Sequence, residues 1–427
     1  MPEKELKVND WEDLYLGSKT IKFLGKNKDI PRTYLGDIYF PIEKKMDISQ
    51  KFIRIGKIKL NDPNDEFWLD IKEVHRTLIL GMTRSGKTLI QRRFMDLFHA
   101  SGFDVVWLTD VSDEVKSSKR ELQPKLRPFL HPNDIPAPLQ LKVYRPMFFK
   151  EFNNDLPSDN EWFKLSYKDL TFGDLIMAFG FDSPNFKNYV DILSLYWNKV
   201  NSLEQLKEKI ETAKLNPRVK AGILRPVESL IKYDVFGEEK VGDFIADMNN
   251  GFVVAFNFKG HEEFGDSSLN TIPQVYASII QNIIVKSRDK GILKRRILLI
   301  IDEASKFLKQ RTLMHDSLKS AVNEYAKYGI YIYFSTQTTK DVPDWLIRQC
   351  RYIFFPFNVD PETALQILKR AQLYDFHPSW HRDIIARLRE MRMRKDGRRQ
   401  WCVVDMHLKE ETVFWNFPPL SAHQESL

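Results

Sequence analysis

The sequence predicts an α/β fold, a largely parallel sheet with helices on both faces, interrupted by a helical insertion and preceded by a small β-rich module. Three observations carry that prediction. Short, continuously apolar runs recur along the chain, as strands buried on both faces require. Segments with helical apolar spacing separate them. One of the runs, Thr77–Leu80, leads directly into a glycine-rich loop and then into a helix.

The elements follow in order. Between about residues 31 and 60, Thr33–Phe40 and Phe52–Leu60 favour strands, the second by alternating apolar and polar residues. They suggest a β-rich module over residues 1–64, closed by the turn cluster Asn61–Asp65. The core is expected over residues 65–110 and 251–427. After the glycine-rich loop, Leu89–Phe98 has helical spacing, Ser101 and Gly102 stop it, and Asp104–Asp110 reads as the next strand with an acidic end. Residues 111–250 break the rhythm with prolines and amphipathic stretches at Asp174–Phe179, Tyr189–Val200 and Leu203–Ala213, and read as a mainly helical insertion. The rhythm then returns with Gly251–Phe258, the amphipathic Ile272–Arg288, Ile297–Ile301, Ile330–Thr336, a helical stretch over Val342–Gln349, and Tyr352–Phe355. The basic run Arg387–Arg399 surrounds an Asp-Gly pair and reads as a hairpin tip.

Composition narrows the class. A chain of 427 residues with 43% hydrophobic and 29% charged residues can bury a large core. No apolar run reaches the roughly 18 residues a membrane span needs. The first residues lack the apolar stretch of a signal peptide, so a cytoplasmic location is expected. Cys350 and Cys402, the only cysteines, form no zinc spacing and are expected to be ordinary packed residues. The net charge of +7 is compatible with a nucleic-acid partner without requiring one.

The chemistry is concentrated in Gly81-Met82-Thr83-Arg84-Ser85-Gly86-Lys87-Thr88, a G-x-x-x-x-G-K-T phosphate cradle. Its glycines allow backbone N–H groups to face the phosphates of ATP, Lys87 supplies charge, and the Thr88 hydroxyl is suited to Mg²⁺. A helix starting here adds its N-terminal dipole. Such a loop needs an acidic partner on another strand, and Ile297–Glu303 provides it: Asp302 for Mg²⁺ and Glu303 to orient and deprotonate water. Gln337, at the end of the next strand, is placed to sense the terminal phosphate.

These ordered motifs resemble the HerA and FtsK superfamily of hexameric P-loop DNA translocases, more closely its HerA side. The resemblance rests on Val74–Thr88, Ile297–Glu303, Lys327–Gln337 and Val342–Arg351 and spans most of residues 65–357. It implies a RecA-like ATPase core, a small N-terminal barrel, a ring of six copies, double-stranded DNA as the load, and a nuclease, relaxase or secretion partner. It also implies that Arg351 reaches the γ-phosphate of the neighbouring subunit, with Arg348 as the alternative. Lys116–Arg120 and Lys306–Arg311 are the candidate pore loops, each equally readable as a solvated face. Arg84 departs from the glycine usual in the family and adds a cation to the loop.

Three functions follow as expectations: an ATP-driven DNA translocase in genome processing, plasmid transfer or packaging; a conjugation or type IV secretion ATPase; and a nucleotide-dependent assembly module without sustained turnover. Retention of Glu303 favours the first two over the third.

Overall fold

Successive side chains of the core strands enter opposite faces of one sheet, and this sets the architecture. The computed structural model describes residues 20–21, 23–24, 30–31, 52–58, 66–82, 85–110, 112–130, 134–151, 161–181, 183–237, 240–259, 271–307, 325–337, 342–371, 378–394, 398–408 and 410–422. Its strands are β1 (Thr20–Ile21), β2 (Phe23–Leu24), β3 (Ile30–Pro31), β4 (Phe52–Lys57), β5 (Glu66–Asp70), β6 (Arg76–Leu80), β7 (Asp104–Thr109), β8 (Leu141–Pro146), β9 (Glu161–Phe163), β10 (Leu165–Ser166), β11 (Phe236–Gly237), β12 (Val253–Asn257), β13 (Ile297–Ile301), β14 (Ile330–Thr336), β15 (Cys350–Pro356), β16 (Gln400–Asp405) and β17 (Glu410–Asn416).

Among the described residues, 13 strands form one sheet in the order β2-β5-β4-β17-β16-β15-β6-β14-β13-β7-β12-β8-β9. Every neighbouring pair from β15 to β9 is parallel, whereas β15 to β5 run antiparallel in succession. On β13, Ile297, Leu299 and Ile301 enter the core on one face while Leu298 and Ile300 enter the core on the other. Both faces are therefore covered, which explains why the core strands read as unbroken apolar runs. The helix Lys87–Ala100 covers one face through Ile90, Phe94 and Phe98. The helices Phe172–Ala178, Lys187–Trp197, Leu203–Thr212, Pro217–Lys232 and Ile272–Asp289 pack their apolar residues into the other core.

Three sequence expectations change. Residues 52–57 do not belong to a module apart, because β4 and β5 pair with each other across residues 59–65 and β4 pairs with β17 of the main sheet. Ile53, Ile55 and Phe67 are buried in the same core as the helix Lys87–Ala100, and Phe67 stacks on Phe414 with ring centroids 4.5 Å apart. Thr33–Phe40 lies outside the described residues. Second, the 111–250 region begins with sheet: β8 and β9 extend the parallel array beyond β12, and the helices start at Phe172. Third, the basic run Arg387–Arg399 pairs as a hairpin over its second part alone, where the Arg394 N–H donates to the Arg398 carbonyl at 2.9 Å and the Gln400 N–H to the Arg392 carbonyl at 3.0 Å, on either side of residues 395–397, which lie outside the described residues. Its first part ends the helix Pro378–Glu390, and Met393 bridges Arg399 just before β16.

Candidate nucleotide site

The spatial order β15-β6-β14-β13-β7 puts the loop-bearing strand β6 two places from the acidic strand β13, with β14 between them. The helix following β6, Lys87–Ala100, crosses one face, and the chain ends of β6, β13 and β14 meet at one carboxyl edge, where open α/β sheets bind ligands. The Gly81 N–H donates to the Thr336 carbonyl at 3.1 Å, tying the loop to the end of β14. A Cβ on Gly81 would lie 2.4 Å from Ser85 Oγ and 2.9 Å from Lys87 Cβ, so the loop closes only over glycine. Gly86 has φ +90°, a left-handed conformation that glycine adopts without steric cost. It precedes the helix Lys87–Ala100, whose N-terminus has no side-chain cap; its first N–H groups are left to an anion. Ser85 is buried, and its Oγ has no hydrogen-bond partner among the described residues. Thr83 and Arg84 lie outside the described residues.

Lys87 is held between two acids. Its Nζ donates to Glu303 Oε2 at 2.9 Å and lies 3.6 Å from Asp302 Oδ1. Burial pulls the ammonium pKa down, but the charges of Asp302 and Glu303 outweigh it and hold the group above the ordinary lysine value. Burial pushes Glu303 up, and the charge and hydrogen bond of Lys87 outweigh that and hold it below the usual carboxylate range. Both groups are thus charged in the folded chain near neutrality.

The acids are positioned by hydroxyls from the adjoining strands. Ser335 donates to Asp302 Oδ1 at 2.9 Å, and Thr109 to Oδ2 at 3.5 Å. Glu303 Oε1 accepts from Ser305 Oγ at 2.9 Å, Thr336 Oγ1 at 3.4 Å and the Gln337 N–H at 3.3 Å. These contacts hold Glu303 at φ +53°, where a non-glycine residue costs roughly 1–2 kcal/mol. The exposed Gln337 therefore adjoins Glu303 through its backbone.

The residue types fit a Mg²⁺-nucleotide. Among the described residues no cluster of three or more His, Cys, Asp or Glu could hold a metal alone, whereas Mg²⁺ in phosphate sites takes one or two protein oxygens and completes its shell with phosphate and water. Thr88, second residue of the helix, and Asp302 are the groups that would hold it.

Arg351, expected at the γ-phosphate of a neighbouring subunit, meets acids of its own chain. It lies at the start of β15, at the amino edge of the sheet, with Nε 3.5 Å from Asp405 Oδ2 and Nη2 3.8 Å from Asp70 Oδ2. Its guanidinium also lies over Tyr352, 4.9 Å from the ring centroid. Burial lowers its pKa, and Tyr352, Asp405 and Asp70 more than restore it. These contacts engage the guanidinium with acids and a ring of its own chain. Arg348, three residues earlier, is exposed and donates from Nε to the Arg370 carbonyl at 3.3 Å. Of the candidate pore loops, Ser118 is buried against Arg92 while Lys116 and Arg120 are exposed. Lys306 pairs with Asp110, and residues 308–311 lie outside the described residues. Sequence reasoning passed over Thr109, Ser335 and Thr336; hydroxyl residues at the carboxyl ends of two strands, β7 and β14, were the available signal.

No protein-family profile matches the sequence, and no curated protein does. Among solved structures, the chain is similar to VirB4 of Thermoanaerobacter pseudethanolicus, at 11% identity over 85% of this chain and 96% of that one, with a TM-score of 0.53. This is the RecA-like P-loop NTPase fold. Two further solved structures align over most of their length with less overlap. They are the bacterial conjugative coupling protein TrwBdeltaN70 (12% identity, 94% of this chain, 87% of that chain, TM-score 0.46) and the genome packaging NTPase B204 from Sulfolobus turreted icosahedral virus 2 (11%, 81%, 98%, 0.35). The P-loop NTPase fold accounts for the position of Lys87, Asp302 and Glu303 at one edge. Among the described residues no helix is long and apolar enough to cross a membrane, and Cys350 and Cys402 are buried, unpaired thiols.

Proposed function

We propose that the chain is an ATP hydrolase that moves double-stranded DNA as a ring of identical subunits. The observation that carries the hydrolase reading is the Lys87 ammonium shared by Glu303 at 2.9 Å and Asp302 at 3.6 Å beside the glycine loop. Lys87 binds the phosphates by exchanging one acidic partner for another, which releases Glu303. Released, Glu303 takes a proton from the water that attacks the γ-phosphoryl group, and Gln337 beside it orients that water. Thr88 and Asp302 would hold Mg²⁺, which neutralises phosphate charge when bound. Ser335 and Thr109 fix Asp302, so the acid meets its ligand without reorganising.

The DNA load is supported by the ordered motif resemblance to HerA-type translocases together with the shared fold. Gripping would be by phosphate contacts from basic side chains such as Lys116 and Arg120, independent of base sequence. For an arginine acting across the subunit interface, exposed Arg348 is better placed than Arg351.

The decisive experiment measures ATP turnover of the full chain with and without duplex DNA, alongside the mass of the assembled particle. Duplex DNA should raise turnover, and Glu303→Gln should lower it at least about 100-fold while ATP still binds. Turnover indifferent to DNA but raised by membrane fractions containing a secretion partner would replace the translocase reading with the secretion one. Unimpaired turnover in Glu303→Gln would remove the catalytic assignment.

A further inference from the structure

The basic run Arg387–Arg399 supplies a cation to the glycine loop. Arg399 immediately precedes β16, which runs antiparallel to β15, so its first residues lie at the carboxyl edge with the end of β6. The Arg399 side chain lies directly against Gly86: a Cβ built there would be 2.8 Å from Arg399 Cδ and 3.4 Å from both Nε and Nη1. Glu303 and Asp302 reach the loop from β13, beyond β14; Arg399 reaches it from the other flank of β6, beyond β15.

Arg399 differs from Lys87 in having, among the described residues, no acid to neutralise it. It is 7% exposed, its Nε and Nη1 have no hydrogen-bond partner, and among the described residues it forms no ion pair. Burial alone acts on it, lowering its pKa, whereas every other buried arginine with a lowered pKa also has an acidic group or thiol raising it. A guanidinium remains charged at any physiological pH, and keeping one buried without a partner costs several kcal/mol. The cost is offset if an anion completes the site, and the groups it touches are the turn whose N–H groups face phosphate.

We propose that Arg399 is a phosphate ligand acting in its own subunit, a second cation that closes on the nucleotide from the side opposite Glu303. This inference rests on the reading of residues 81–88 as a nucleotide site. It gives the carboxyl-terminal strands a reason to be joined to the sheet. The Arg399 carbonyl accepts from the Asn416 N–H at 3.3 Å at the end of β17. The chain then continues to the Leu420 and Ser421 N–H groups, which donate to Asp96 at 2.6 and 3.3 Å on the helix Lys87–Ala100. The segment from Arg399 to Ser421 thus touches the phosphate-binding helix at its start and again two turns along, so a phosphate held by Arg399 tightens the same clamp.

Equilibrium binding of ATP, ADP and adenosine to the full-length chain tests this with Arg399→Met, Arg399→Lys and Lys87→Ala, together with thermal melting without nucleotide. A lost charge-assisted contact predicts that Arg399→Met weakens ATP and ADP about 10- to 100-fold, leaves adenosine unchanged, and does not lower the nucleotide-free melting temperature. Arg399→Lys should recover part of the loss. If Arg399→Met binds ATP within twofold of the parent while Lys87→Ala is weakened tenfold or more, the Arg399 inference falls and the nucleotide site stands. If Lys87→Ala is also unimpaired, the nucleotide site itself falls. Equal weakening of adenosine and ATP, or a lower melting temperature with unchanged affinity, would make Arg399 a base contact or a packing residue and overturn the proposal.

Discussion

At the amino edge of the sheet, Arg351 lies 3.5 Å from Asp405 and 3.8 Å from Asp70, whereas at the carboxyl edge Arg399 lies against Gly86 and its Nε and Nη1 have no partner among the described residues. The two arginines are buried to the same degree, 6% and 7% exposed. The amino edge pairs the Arg351 charge within the chain, although Arg351 Nε and Asp405 Oδ2 make no hydrogen bond there. There His75 is also enclosed: its Nδ1 donates to the Glu73 carbonyl at 2.9 Å, its Nε2 accepts from Tyr333 Oη at 2.8 Å, and it meets Tyr331 and Tyr352 edge-on. The carboxyl edge keeps Glu303 at a strained φ, Ser85 Oγ unpartnered and Arg399 unpaired. Buried charge with its partners present signals architecture, and buried charge without them signals a ligand.

The largest test of that contrast is Arg351→Ala. Removing the cation leaves Asp70 and Asp405 buried together, and the loss should be about 3–5 kcal/mol of stability in denaturant unfolding, with the ATP affinity of the folded protein unchanged. A variant as stable as the parent but devoid of turnover would break the contrast and return Arg351 to the subunit interface.

The next concerns pH. Burial, with the charge of Arg351 acting in the same direction, lowers His75 from 6.5 to about 3. The folded chain therefore binds this proton less readily than the unfolded chain, so stability is full above pH 6.5 and falls as pH drops toward 3. The contribution is at most about 5 kcal/mol. His75→Gln should flatten that part of the stability profile; an unchanged acid slope would show that the ring titrates freely.

The smallest concerns Asp104, where even the amino edge is imperfect. Burial raises its pKa from 3.8 to about 6 against the pull of Arg295, 3.4 Å away, and Oδ2 has no hydrogen-bond partner. Here the folded chain holds the proton longer, so stability falls as pH rises from about 4 through 6. Relative to the parent, Asp104→Asn should gain about 1–2 kcal/mol between pH 4 and pH 7. A constant difference would place the acid in contact with water.

Much of this was legible in the sequence because it is local. The apolar runs Asp104–Thr109, Val253–Asn257, Ile297–Ile301, Ile330–Thr336 and Cys350–Pro356 are strands, since a strand buried on both faces must be apolar throughout. The loop at Gly81–Thr88 follows from backbone requirements written in consecutive residues. The strand at Leu141–Pro146 was obscured by prolines on either side, and β4 was assigned to a separate module because its partner, β17, comes near the end of the chain.

Which strand, helix and phosphate loop this chain would build was determined by the sequence itself, through periodicity and the φ values that glycine alone adopts cheaply. The fates of its arginines were decided only by tertiary structure. Arg351 and Arg399 each stand beside a strand in a locally unremarkable context. Pairing of β15 and β16 with their neighbours brought one to Asp70 and Asp405 and the other to Gly86. Whether a buried charge is neutralised depends on residues distant in the chain, and no local pattern encodes them.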